Sequence, residues 1–83
     1  MIIKKNIVIV GAIGAIGKAF LEHYIKDESV ENVFAFSRKK ISYENIKIKS
    51  FDLDIENQTS IEDAAQNIKD YPIDTIIVAT GIL

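Results

Sequence analysis

Gly11, Gly14 and Gly17 stand at three-residue intervals directly after a short apolar run, residues 7–10. Glycines so placed can cradle a pyrophosphate. That group needs backbone N–H donors and room for close approach, and a helix N-terminus supplies the donors together with a favourable dipole. Gly11 lets the chain turn sharply off a strand. Gly14 and Gly17 remove Cβ atoms where backbone, ligand and sheet crowd together. Ile13, Ala15 and Ile16 lie between the glycines and offer the same chemistry through their backbone N–H groups. A tight strand–helix turn without a ligand would also use glycines. The context of strand, glycines and amphipathic helix is what gives the pattern weight.

The elements around the loop follow a regular alternation. Residues 6–10 form a β-branched, continuously apolar run suited to a parallel strand covered on both faces. Residues 18–26 read as a helix with Ile16, Phe20 and Tyr24 on one face and Ala19 beside them. Residues 32–36 predict a second strand ending at Ser37, Arg38, Lys39 and Lys40. Residues 46–51 alternate apolar and polar, as a less buried strand does. Only a loop or a helical turn fits between those two strands. Thr59, with Glu62 three residues on, predicts a capping box. It opens a helix whose inner face is Ile61, Ala64, Ala65 and Ile68, and Pro72 stops it. Residues 73–79 predict the last strand. Strands alternating with helices imply βαβ units and a parallel sheet. Right-handed crossovers then give the strand order 3-2-1-4. The predicted fold class is α/β, half of a doubly wound Rossmann-type parallel sheet with flanking helices. The fourth strand would be a bare apolar edge, a route to a homo-oligomer.

The totals narrow the function classes. A chain of 83 residues suits one small domain. A hydrophobic fraction of 48% and a charged fraction of 27% describe a globular chain rather than a disordered one. A net charge of −2 gives no basic excess for nucleic acid or an anionic membrane. There is no cysteine, which excludes disulfides and thiolate metal sites within the chain and fits a reducing cytoplasm. The apolar run before Gly11 is too short to span a bilayer.

Residues 10–17, Val-Gly-Ala-Ile-Gly-Ala-Ile-Gly, resemble the Thr-Gly-x-x-x-Gly-x-Gly loop of the short-chain dehydrogenases/reductases. Further motifs follow in the family's order. Ser37-Arg38 stands where members place their ribose-phosphate reader. Asp52-Leu53 resembles the Asp-Val/Leu pair that contacts adenine, and Ala79-Thr80-Gly81 resembles the Asn-Ala-Gly segment after the fourth strand. The resemblance covers nearly the whole chain, and the Ala-Thr-Gly-Ile-Leu ending looks most like the C-factor-type branch. The chain departs from the family at three loop positions. Val10 replaces the Thr, Ala15 replaces the middle glycine, and Ile13 stands where a Ser often helps bind phosphate. Backbone donors must do more of the work here.

The resemblance implies that residues 1–83 are the N-terminal dinucleotide-binding portion of an oxidoreductase acting on a carbonyl or alcohol, truncated after the fourth strand. Asp52 would then bond the exocyclic amine of adenine, with the Leu53 N–H alongside. The alternative is that Asp52 and Asp54 simply bracket a strand end. Gly81 would lie near the ribose and nicotinamide. A site specific for NAD places an acid at the end of the second strand. Ser37 and Arg38 stand there instead. Arg38 attracts a 2′-phosphate and can stack on adenine, which favours NADP, with NAD as runner-up. The competing reading is a solvated basic loop of Arg38, Lys39 and Lys40. Glycine-loop methyltransferases generally want an acid at this point, so Ser37-Arg38 counts against them.

No catalytic residue is expected within the chain. The family uses a Ser, a Tyr and a Lys, with Tyr and Lys four apart on a helix after a fifth strand. Tyr43 and Lys47 have that spacing, but they fall between the second and third strands. His23, the single histidine, lacks a partner carboxylate. Asp52, Asp54 and Glu56 diverge on a strand end rather than converge on a metal. The alternatives to a reductase portion are a non-catalytic nucleotide-binding module and a self-associating element.

Overall fold

The computed structural model describes residues 4–39 and 42–79. In chain order these form β1 (Lys5–Val10), α1 (Ala15–Ile25), β2 (Val30–Ser37), β3 (Ile48–Asp52), α2 (Gln58–Ile68) and β4 (Thr75–Val78). The four strands make one parallel sheet in the order β3-β2-β1-β4. This is the expected α/β arrangement, half of a Rossmann-like sheet. β1 and β2, with apolar runs at residues 7–10 and 33–36, take its centre, where side chains on both faces are covered.

The sheet carries a core on each face. Ile7, Ile9, Val33 and Ala35 point toward α1, where Leu21 completes the layer. Val8, Phe34 and Phe36 point the other way, toward Leu53 and Ala64. Phe34 and Phe36 are fully buried. Burial of such a side chain is worth about 1.5–3 kcal/mol.

The first helix differs from the sequence reading in start and in rotation. It begins at Ala15 rather than residue 18. Its buried residues are Gly17 and Leu21, with Tyr24 and Ile25 packed at the margin. Ile16 and Phe20 are exposed. Gly17 sets the rotation. It is the point of closest approach to the β1–α1 turn, so its position faces inward and Leu21 follows one turn later. Ile16 and Phe20 are then about 100° off that line, from 3.6 residues per turn.

Capping and strand ends account for the other differences. Asn57, not Thr59, is the N-cap of α2, and its side chain accepts the Ser60 N–H. Ser60 Oγ accepts the Asp54 N–H in turn, so the chain from β3 into α2 is tied at both ends. Ala64 is the buried residue of α2, Ile68 is half-buried, and Ile61 and Ala65 are exposed. That helix packs chiefly against β3, at the edge of the sheet, and so buries a narrower stripe than the sequence reading assigned. β3 starts at Ile48 because Asn45 turns the chain first. The Asn45 side chain accepts the Lys47 N–H, and its carbonyl accepts the Ile48 N–H. Ile46 is left outside the strand and exposed. β2 extends the predicted strand at both ends, and β4 is shorter than predicted. Between β2 and β3 the described residues contain no helix.

Candidate functional site

Gly11 leaves β1 with φ 86°. That is the left-handed region, which only glycine enters without strain. The turn is anchored to β2, because the Gly11 and Ala12 N–H groups both donate to Phe36 O, at 2.8 and 3.1 Å. Gly17 answers a different demand. A Cβ on it would lie 2.0 Å from Gly11 O and 2.8 Å from Gly11 C, so no side chain fits. Gly14 is less constrained by the protein. A Cβ there would meet Gly11 O at 3.6 Å, an ordinary contact.

Gly14 is the N-cap of α1, and no side chain caps that helix. The first-turn N–H groups, those of Ala15, Ile16 and Gly17, have no intrahelical acceptors. No acidic residue stands in the first turn either. Among the described residues, the start of α1 therefore keeps its donors and the positive end of its dipole uncompensated, whereas α2 closes its own with Asn57.

A cleft of about 350 Å³ opens at the carboxyl ends of the strands. Its walls are Val10, Gly11, Ile13 and Gly14 from the β1–α1 turn, Phe36, Ser37 and Arg38 from the end of β2, residues 53–56 after β3, and Ala79 after β4. The sheet order reverses between β1 and β4, and such a switch point is where open α/β sheets bind ligands. Arg38 is exposed and is the single cation lining the cleft among the described residues. Ser37 is buried, and its hydroxyl donates to Lys39 O at 2.7 Å, folding the loop that carries Arg38.

The predicted site residues divide into groups. Gly11, Ile13, Gly14, Ser37, Arg38, Leu53 and Ala79 line this one cleft. Ala15, Ile16 and Gly17 stand behind it in the first turn of α1. Thr80 and Gly81 lie outside the described residues. Asp52 is elsewhere. It pairs in register with Ser37 and lines a separate hollow with Asn57, Ser60 and Asp63. The Leu53 N–H is not open to a ligand, because it donates to Ser37 O at 2.7 Å. Leu53 contributes a buried wall instead.

Asp54 and Ile55 stand beside Leu53 in the wall of the cleft, where Asp52 does not. Both line the cleft, and the Ile55 N–H has no partner among the described residues. Asp54 Oδ1 accepts the Glu56 N–H at 3.0 Å, which holds the carboxylate in the turn. The sequence contains an acid–aliphatic pair twice in succession, at 52–53 and 54–55. The signal that separates them is α2. Asn57 caps that helix two residues after Ile55, so the second pair has left the sheet while the first still belongs to it.

The remaining candidates have other occupations. Tyr43 packs against the core on the α1 side. Lys47 Nζ donates to Ile25 O and Asp27 O, at 3.3 and 2.9 Å, and so caps the C-terminal end of α1. No helix joins the two. His23 sits edge-on to Tyr24 with ring centroids 5.0 Å apart. No helix among the described residues is long and apolar enough to cross a membrane. No family model matches the chain, and no curated protein matches it.

Proposed function

We propose that the cleft binds a dinucleotide, NADP(H) in preference to NAD(H), and that the chain is the cofactor-binding part of an oxidoreductase resembling the short-chain dehydrogenases/reductases, acting on a carbonyl or alcohol. One observation carries this reading: the uncapped start of α1, the Gly11 turn and Arg38 converge on a single cleft at the switch point of the sheet. Phosphate at the helix start would accept the free N–H groups. Arg38 would meet a 2′-phosphate from the end of β2. The acids of the cleft, Asp54 and Glu56, follow β3 rather than β2 and so do not stand where an acid reads both ribose hydroxyls. Asp54 and the Ile55 N–H would offer an acceptor and a donor to the edge of adenine.

Separate titrations with NADPH and NADH test the reading. NADPH should bind about tenfold or more tighter, the scale of a charge-assisted hydrogen bond of roughly 1.5–3 kcal/mol. Arg38→Asp should abolish the difference. Equal affinities in the wild-type chain, or an unchanged preference in the variant, would overturn the NADP assignment. A second reading, self-association through β4, is favoured by one observation: Ile76 and Val78 are exposed on that strand.

A further inference from the structure

We infer that Ser60, on α2 and outside the cleft, is a positioning residue that sets the base preference of the site by holding the Asp54 N–H. The inference rests on the cofactor reading above and concerns how adenine would be told from other bases.

The segment from Leu53 to Asn57 leads from β3 into α2, and most of its backbone N–H groups are committed. The Leu53 N–H donates to Ser37 O at 2.7 Å, and the Asn57 N–H donates to Asp54 O at 3.0 Å. The Glu56 N–H donates to Asp54 Oδ1 at 3.0 Å. The Asp54 N–H donates to Ser60 Oγ at 2.8 Å. That leaves the Ile55 N–H without a partner among the described residues, next in the chain to a carboxylate with acceptor capacity to spare. Asp54 and Ile55 both line the cleft.

The Ser60 bond is not what starts α2. In a capping box the third helical residue reaches back to the N–H of the cap itself. Here Asp54 O takes the N–H of the cap, Asn57, and Ser60 reaches three residues further, to Asp54. The helix is capped independently, because Asn57 Oδ1 accepts the Ser60 N–H at 3.1 Å. Ser60 is half-buried and lines the hollow of Asp52, Asn57 and Asp63, not the cleft. Its effect on a ligand therefore passes through Asp54. Adenine presents an amine donor beside a ring-nitrogen acceptor, and hypoxanthine presents the reverse, a carbonyl acceptor beside an N–H donor. A site rejects the wrong pattern because its own polar groups are left unpaired, and that holds only while those groups are kept in place. Ser60 ties the backbone of the Asp54–Ile55 pair to a helix, and so keeps donor and acceptor in register with one base edge.

Calorimetric titration of the chain with NADPH and with its hypoxanthine analogue is the test. The wild-type chain should bind NADPH about tenfold or more tighter than the analogue. Ser60→Ala should narrow that ratio to about threefold or less, while the ratio of NADPH to NADH affinity, which Arg38 governs, keeps its wild-type value. Ser60→Thr, which returns a hydroxyl, should restore the base preference. Asn57→Ala removes the α2 cap but not the Ser60 bond, so it should lower the melting temperature and leave the base preference unchanged. Should Ser60→Ala not fold, Ser60→Cys, of similar size and with only a weak acceptor, carries the same expectation. An undiminished base preference in that variant, or loss of both ratios together, would overturn the inference and leave the cofactor reading standing. So would equal narrowing in Asn57→Ala, a preference that Ser60→Thr does not restore, or a wild-type chain indifferent to the base. A wild-type chain that binds no dinucleotide would overturn the cofactor reading and this inference with it.

Discussion

The side-chain amide of Asn32 donates to Oδ1 of Asn6 across 2.9 Å, joining β2 to β1 at the end of the sheet opposite the cleft. The link is one step of a chain. Lys49 Nζ on β3 donates to Asn32 Oδ1 at 2.8 Å, and Asn6 Nδ2 donates to Pro72 O at 3.0 Å just before β4. The Asn6 N–H donates to Asp74 Oδ2, and Asp74 N–H returns a bond to Asn6 O. Polar groups from three strands and the entry to the fourth are thus satisfied together, and Asn6 is their hub at 4% exposure.

Removing that hub should cost stability. Asn6→Leu keeps bulk but leaves the Asn32 amide and Pro72 O without their partner. A buried group so orphaned costs about 1–3 kcal/mol, more than the gain from one extra apolar side chain at a sheet end. Urea denaturation should show a loss in that range with an unchanged m-value. A midpoint equal to wild type would show that the chain of amides is ornamental.

Gly17 and Gly14 should respond differently to alanine. Helix propensity alone favours Ala over Gly by about 1 kcal/mol in a helix interior. At Gly17 the added carbon would sit 2.0 Å from a backbone oxygen, and backbone cannot swing aside as a side-chain tip can. Overpacking of this kind costs about 1–3 kcal/mol and more where backbone must move. Gly17→Ala should therefore lower the melting temperature despite its propensity gain. Gly14→Ala, meeting nothing closer than 3.6 Å, should change stability by about 1 kcal/mol or less. Equal melting curves for the two variants would refute this division.

The contrast shows which parts of the molecule the residues announce. Strand order, the Gly11 turn and the gathering of Ser37, Arg38 and Leu53 at one edge follow from local patterns, because β-branched runs and glycine spacing act over a few residues. The rotation of α1 does not. Ile16, Phe20 and Tyr24 make a good apolar face on paper, yet the closest approach at Gly17 turns them aside, and that contact lies between elements. The same holds for Asp52 and Asp54. Their neighbourhoods look alike in sequence, and it is the hydrogen bond from Leu53 to Ser37, a contact between strands, that holds the first pair to the sheet.

Asp27, after the end of α1, supplies a pH dependence. Its carboxylate accepts the Ser29 hydroxyl at 2.6 Å and the Ser29 N–H at 2.9 Å, and these bonds hold its pKa below the ordinary 3.8. A carboxyl depressed on folding stabilises the folded state above its unfolded pKa. That contribution is lost as pH falls from about 4 through the lower folded value. Ser29→Ala removes the larger of the two causes, so Asp27 should titrate closer to 3.8 and the acid-side loss of stability from this group should shrink. Carbon-detected NMR titration of the Asp27 carboxyl reads it directly. A titration midpoint that does not rise in the variant would contradict the assignment.

β4 provides the last prediction. By register Ile76 lies beside Val8 and Val78 beside Val10, so both belong to the α2 face of the sheet. α2 itself sits over β3, and the two side chains are left 61% and 66% exposed. In antiparallel pairs directly opposed residues share a face. A second copy pairing antiparallel about Ile77 would therefore set each Ile76 beside the other copy's Val78 and join two sheets of four. No lysine or proline guards residues 75–78 against this. The wild-type chain should self-associate with rising concentration in light scattering, and Ile76→Lys/Val78→Lys should return it to a monomer, since a buried unpaired ammonium opposes the pairing. A wild-type chain that stays monodisperse and monomeric as concentration rises would rule out association through this strand.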